Sequence, residues 1–117
     1  MLQLDKVQAG YRRSQVLFDI SLQVRHGQVV SLLGRNGMGK TTTVKSIMGL
    51  VDISAGRIVF DEAELPGQSP FSNSRLGIAY VPEGRRIFPN LNVMENLYAT
   101  SRIDPDDDWT MERVLAF

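Results

Sequence analysis

The residues best suited to chemistry form a glycine-rich loop that ends in a lysine and a threonine. Residues 34–41 read GRNGMGKT, which matches the phosphate-binding pattern G-x-x-x-x-G-K-[ST]. Glycines let the backbone turn with positive φ and approach phosphate oxygens, so that successive N–H groups converge on an anion. Lys40 is expected to reach the β- and γ-phosphates, and Thr41 to place its hydroxyl on Mg²⁺. The pattern therefore predicts a site for a nucleoside triphosphate and its magnesium ion.

Such a loop needs a strand before it and a helix after it. Residues 29–33, VVSLL, form a buried-type apolar run that predicts the strand. A helix is predicted over 40–48, with Gly49 as its stop. The positive end of its dipole favours phosphate, and Thr42 is placed to bond a further phosphate oxygen. The candidate nucleotide contacts here are Gly34, Asn36, Gly37, Gly39, Lys40, Thr41 and Thr42.

The remaining patterns describe a mixed fold around this loop. Alternating or apolar runs predict strands near 2–7, 16–24, 57–60 and 78–81, a turn over 52–56, and a short helix over 72–76. Asn92 is predicted to cap a helix beginning at Val93, with Glu95 in its first turn. The acidic run at 104–108 admits a metal site, but we favour capping of a following helix. The predicted fold class is α/β: a P-loop nucleoside triphosphate hydrolase core with an antiparallel β-layer.

Composition limits the classes of partner. The 117 residues match one small domain, and 13 basic against 13 acidic residues argue against broad binding to nucleic acid or anionic lipid. There is no cysteine, so thiol chemistry is excluded. No apolar run reaches the length of a membrane span, so we expect a soluble chain. His26, the one histidine, is interpreted as a solvated turn residue without chemistry.

Several motifs together resemble one family. Tyr11, Gly27, the loop at 34–42 and the segment 56–58 resemble the N-terminal half of an ABC-transporter ATP-binding subunit. Residues 80–89 (YVPEGRRIFP) and 91–97 (LNVMENL) look most like the branched-chain amino-acid importers. The family's Leu-Ser-Gly-Gly signature, its second acidic motif with the catalytic glutamate and its switch histidine do not occur here. We therefore expect 1–117 to be the N-terminal part of a single ABC ATP-binding domain, truncated before those motifs and not hydrolytic by itself.

The resemblance also assigns roles to two residues outside the loop. Tyr11 corresponds to the aromatic residue that stacks on adenine, with a packing tyrosine as the alternative. Glu83 occupies the coupling-loop position that approaches Mg²⁺ and the attacking water. The alternative for Glu83 is a surface glutamate paired with Arg85 or Arg86.

Partners are implied in the same way. Residues 84–91 would lie near a groove that receives a helix of the membrane permease. Ile87 and Phe88 would supply apolar surface at this groove, and the alternative for Phe88 is that it fills the local core. The resemblance implies ATP and Mg²⁺, permease subunits, a second ATP-binding subunit, and a cytoplasmic location that touches the inner face of the membrane only through the permease. The full-length protein would be an ATPase that drives uptake of branched-chain amino acids. The alternatives are a non-catalytic fragment, or the ATPase of an importer for urea or another small polar solute. A P-loop kinase or GTPase would need base-specific or acceptor motifs, and this sequence contains neither.

Overall fold

A four-stranded antiparallel sheet organises the first part of the chain. The computed structural model describes residues 1–65, 67, 69–84, 86–101 and 110–116. The strands are β1 (Leu2–Tyr11), β2 (Ser14–Val24), β3 (Ile53–Phe60) and β4 (Ala63–Glu64), in the order β2-β1-β3-β4. All three pairings are antiparallel, and Leu4 pairs with Leu22 on one side and with Ile58 on the other. The antiparallel β-layer predicted from the sequence is therefore confirmed.

The core packs against this sheet, and a register shift between Leu4 and Val7 interrupts the alternation of side chains in β1 so that both residues are buried. Its buried members are Leu4, Val7, Ala9, Leu17, Val51, Ile58 and Leu65. Burying a side chain such as Leu17, which is 1% exposed, stabilises the fold by about 1.5–3 kcal/mol. At Gly56 the strands come so close that a Cβ would lie 2.3 Å from the Lys6 carbonyl oxygen. This contact explains a glycine inside β3, which begins at Ile53 rather than after the turn predicted over 52–56.

Two helices accompany the sheet in this first unit, which spans Met1–Tyr80. Helix α1 (Lys40–Ile47) contacts β1 and β2, and the chain leaves it through Gly49 at φ 72°. Helix α2 (Pro70–Arg75) is capped by Ser69, whose Oγ accepts from the Ser72 amide at 3.2 Å. These two helices agree with the predicted helices over 40–48 and 72–76.

The chain start is fixed by polar contacts between the beginning of β1 and the end of β3, the two inner strands of the sheet. The Asp61 amide donates to the Met1 carbonyl at 2.9 Å, and the Met1 ammonium pairs with the Asp61 carboxylate. The same ammonium lies 3.1 Å from His26 Nε2. The hydrogen bond from the Met1 ammonium to the Asp61 carboxylate lowers the pKa of Asp61, although desolvation of the carboxyl opposes this effect.

The second unit, Val81–Phe117, contains helices α3 (Val93–Thr100) and α4 (Met111–Leu115). Asn92 caps α3 in a capping box: its Oδ1 accepts from the Glu95 amide at 2.9 Å, and Glu95 accepts from the Asn92 amide at 2.8 Å. The prediction for Asn92 and Glu95 is confirmed. Thr110 caps α4, and the acidic run at 104–108 lies outside the described residues.

Two predicted strands are wrong. Residues 29–33 and 78–81 have no strand geometry, and Val29, Leu33 and Val81 are 96%, 91% and 92% exposed. A buried-type strand is stable only when neighbours pair with its edges and cover its faces. Every strand in the described part of the chain already pairs within the antiparallel sheet, so these runs have no such neighbours there. No helix in that part is long and apolar enough to cross a membrane.

Candidate nucleotide-binding site

The glycine-rich loop turns sharply into α1. Gly37 and Gly39 have φ values of 84° and 88°, in the left-handed region where side chains are strained. The Met38 amide donates to the Arg35 carbonyl at 3.3 Å and closes the turn between them. Two glycines thus provide the backbone geometry that the motif predicts.

Gly39 also fixes where the helix starts against the sheet. A Cβ at this position would lie 2.7 Å from Leu17 Cδ2 and 3.6 Å from Val16 Cγ1. Leu17 is a buried core residue of β2, so it has little room to move. The loop end is therefore seated on β2 by a contact that only glycine permits.

The N-terminal amides of α1 lack a capping side chain. Gly39 is the N-cap residue, no side chain caps the helix, and the first turn holds no acidic residue. The first amide in the helical ladder is that of Thr43, which donates to the Gly39 carbonyl at 2.8 Å. The amides of Lys40, Thr41 and Thr42 precede it and carry the positive end of the helix dipole. Such a helix end is suited to an anion.

Lys40 closes the loop over this helix end. Its Nζ donates to the Gly34 carbonyl at 2.6 Å and to the Arg35 carbonyl at 2.8 Å. Both acceptors are neutral and solvent-exposed, whereas a phosphate oxygen would form a stronger, charge-assisted bond. The Lys40 ammonium is thus bonded to two loop carbonyls, and it can exchange these partners for phosphate oxygens.

The threonines of α1 differ in exposure. Thr41 is exposed, Thr42 is 6% exposed, and Thr43 uses its Oγ1 to bond the Gly39 carbonyl at 3.0 Å. Among the described residues, no group of three or more histidines and carboxylates converges on a metal-sized space. Mg²⁺ keeps several waters and is held mainly by phosphate oxygens with few protein ligands, so a single exposed threonine hydroxyl suits it. Thr41 is the hydroxyl available for that role.

Tyr11 lies at the turn between β1 and β2. It pairs with Ser14, two positions from Val16, so it stands about 7 Å along the hairpin from the point where β2 meets the loop. Tyr11 is 44% exposed and borders an open cleft of about 290 Å³ together with Leu50 and Asp52. The exposure argues against the alternative of a packing tyrosine, while stacking on adenine stays a prediction.

Glu83 belongs to the second unit, whereas the loop, α1 and Tyr11 belong to the first. Glu83 is exposed, and it forms no ion pair with a described residue, Arg86 included. Arg85 lies outside the described residues. The structure therefore brings together the loop and α1 residues, and the role of Glu83 stays a prediction.

The predicted partner surface and one unpredicted residue lie in the same unit. Ile87 and Phe88 are 68% and 51% exposed, so Phe88 does not fill a core. The side chain of Asn96 in α3 bonds the backbone of Phe88, a contact that was not predicted from the sequence. The available signal was an asparagine four residues after the helix cap, within reach of the preceding loop.

The sequence is similar to ATP-binding proteins of several ABC transporters. The ABC transporter family profile matches residues 17–117. The chain is 39% identical over 117 residues to the high-affinity branched-chain amino acid transport ATP-binding protein BraG of Pseudomonas aeruginosa, covering 98% of this chain and 50% of that protein. It is 37% identical over 97 residues to the probable branched-chain amino acid transport ATP-binding protein LivF of Archaeoglobus fulgidus (83% and 41%). It is 40% identical over 97 residues to the lipopolysaccharide export system ATP-binding protein LptB of Escherichia coli (83% and 40%).

Solved structures agree with the fold. An ATP-binding subunit of an ABC transporter superposes with a TM-score of 0.74 at 34% identity, covering 84% of this chain and 40% of that one. A dimeric ATP-binding cassette bound to ADP and Pi superposes with a TM-score of 0.72 at 23% identity, covering 83% and 45%. The fold class is therefore that of P-loop nucleoside triphosphate hydrolases, as predicted. The chain spans half or less of the length of these curated relatives. The family profile, the relatives and the loop geometry agree: this chain belongs to the ATP-binding domain family of ABC transporters.

Proposed function

We propose that this chain is the nucleotide-binding N-terminal part of the ATP-binding subunit of an ABC importer for branched-chain amino acids. In the whole protein, binding and hydrolysis of Mg-ATP would drive uptake through permease subunits. A second ATP-binding subunit would complete the assembly on the cytoplasmic face of the membrane, with membrane contact only through the permease. The 117 residues alone would not hydrolyse ATP, because they contain no Leu-Ser-Gly-Gly segment.

The observation that carries the proposal is the loop seated on an uncapped helix end. The start of α1 has no side-chain cap, and the Lys40 ammonium is bonded to the loop at the Gly34 carbonyl, 2.6 Å away. Gly34, Asn36, Gly37 and Gly39 would shape the backbone around the phosphates, and Lys40 would exchange its carbonyl partners for β- and γ-phosphate oxygens. Positioning and charge neutralisation are the main contributions that a protein makes to phosphoryl transfer.

The remaining site residues complete a nucleotide site in this proposal. Tyr11 would stack on adenine, Thr42 would help order the phosphates, and Thr41 would supply a hydroxyl ligand to Mg²⁺. Magnesium supplies charge neutralisation between the phosphates when it is bound. Glu83 would act as a coupling residue near that ion; because a carboxylate also repels the γ-phosphate, we do not assign it as a base.

The solute is proposed from the relatives and from the segment at 80–97. Two of the curated relatives carry branched-chain amino acid transport in their names, and the sequence YVPEGRRIFP resembles that subgroup. A second candidate is lipopolysaccharide export, because LptB matches at 40% identity, close to the 39% for BraG. Uptake of radiolabelled leucine by the reconstituted transporter separates the two. ATP-dependent accumulation supports the importer, and its absence beside ATP-driven extraction of lipopolysaccharide supports the exporter.

The nucleotide proposal is tested by calorimetric titration of ATP with Mg²⁺ into the intact subunit. Lys40→Ala should remove detectable binding, since the ammonium is the one side-chain charge that we place on the phosphates. Lys45→Ala is the matched control, because Lys45 lies in the last turn of the same helix. Equal affinity of the wild type and the Lys40→Ala variant would refute the phosphate role.

A further inference from the structure

The loop that precedes α3 carries exposed apolar side chains but has no apolar core of its own. Ile87, Phe88 and Leu91 are 68%, 51% and 38% exposed, and none of the described residues after Val81 is buried. Apolar packing therefore does not hold this loop in shape. Its conformation depends on polar contacts.

One side chain supplies most of those contacts. Asn96 Oδ1 accepts from the Phe88 amide at 2.8 Å. Its Nδ2 donates to the Phe88 carbonyl at 3.1 Å, and to the carbonyls of Leu91 and Asn92 at 3.0 Å each. The first turn of α3 thereby holds both backbone polar groups of Phe88 and the end of the loop.

The chemistry of this contact requires a primary amide. The Phe88 amide bonds to an acceptor and the three carbonyls bond to a donor group, and an asparagine side chain offers both, its two N–H donors being shared among the carbonyls. Aspartate has nearly the same shape but, when ionised, only accepts. It would set a carboxylate against three carbonyl oxygens and lose every bond made by Nδ2.

We propose that Asn96 is a positioning residue that holds Ile87 and Phe88 in the arrangement that docks onto the permease, an inference that rests on the proposed function. The surface is apolar at Ile87 and Phe88 and positive at Arg86, which is exposed and forms no ion pair with another described residue. Its partner is a short permease helix that carries an apolar side chain beside a carboxylate. Asn96 touches neither nucleotide nor permease and acts through the loop backbone.

The test measures docking and loop order separately. The intact subunit, as wild type, Asn96→Ala or Asn96→Asp, is titrated onto its permease subunits in detergent. Thr100→Ala is the matched control, because Thr100 Oγ1 bonds only the Asn96 and Leu97 carbonyls within α3. Phe88→Asp tests the docking surface itself. Amide hydrogen exchange over 86–92 reports loop order, and ATP titration reports the nucleotide site.

We expect both Asn96 variants to weaken docking about tenfold or more, from the loss of several neutral hydrogen bonds. Asn96→Asp should be at least as damaging as Asn96→Ala, exchange at Phe88 should accelerate, and ATP affinity should stay unchanged. Normal docking or unchanged loop exchange in Asn96→Asp overturns the role of Asn96. In that case, loss of assembly in Phe88→Asp would still support the docking surface. Normal docking of Phe88→Asp overturns the surface and, with it, this inference.

Discussion

Replacing Gly39 by alanine should destabilise the protein more than the same change at Gly27. The left-handed φ of 88° at Gly39 costs an alanine about 1–2 kcal/mol. The new Cβ would also lie 2.7 Å from Leu17 Cδ2, and overpacking of a core typically costs about 1–3 kcal/mol. The sum is about 2–5 kcal/mol, a large part of the roughly 5–15 kcal/mol that stabilises a typical domain.

Gly27 provides the control for the backbone contribution. Its φ is 72°, but a Cβ there would meet no atom within 4 Å. Urea unfolding of the intact subunit should therefore show a loss of only about 1–2 kcal/mol for Gly27→Ala. In a Leu17→Ala background the overlap disappears, so the effect of Gly39→Ala should fall to that of Gly27→Ala. Equal losses at Gly39 and Gly27 in the wild-type background would refute the claim that the loop is seated on β2.

Three further predictions concern other parts of the chain. Tyr11→Ala should weaken ATP binding by about 1–3 kcal/mol and Tyr11→Phe should not, as judged by calorimetry; equal losses would count against stacking. Asn92→Ala should destabilise α3 by about 1 kcal/mol and speed its amide exchange, because the eight-residue helix loses its capping box; unchanged exchange contradicts this. The pKa of Asp61, measured by NMR, should lie below 3.8. The ionised Asp61 carboxylate contributes fully to the stability of the fold above pH 3.8, and this contribution is lost as the pH falls through the folded-state pKa. Asp61→Asn should remove this part of the pH dependence of stability.

The elements that were predicted correctly are those with local signals. The start of α1 after Gly39 and the cap of α3 at Asn92 are set by residues within one turn of the helix end. The strands near 2–7 and 16–24 were predicted from their apolar patterns and correspond to β1 and β2, and Gly49 ends α1 as expected. These features depend on neighbours in sequence, so a single sequence contains them.

The errors concern interactions between distant segments. The run at 29–33 has strand-forming side chains, but strand geometry requires pairing partners that the described residues do not provide. The start of β3 at Ile53 is set by pairing with Ala9 of β1, which no signal near Ile53 reveals. The asparagine side chain of Asn96 reaches back eight residues to Phe88 because the loop folds onto the helix. The roles of the candidate site residues stay predictions from the motif and the resemblance, while the seating of Gly39 on Leu17 required the structure.

The most direct test of the nucleotide site is a crystal structure of the intact subunit with a non-hydrolysable ATP analogue and Mg²⁺. We predict phosphate oxygens within hydrogen-bonding distance of the amides from Gly37 to Thr42. Lys40 Nζ should have left the Gly34 and Arg35 carbonyls for the β- and γ-phosphates. A nucleotide bound elsewhere, with Lys40 still on those two carbonyls, would contradict the assignment.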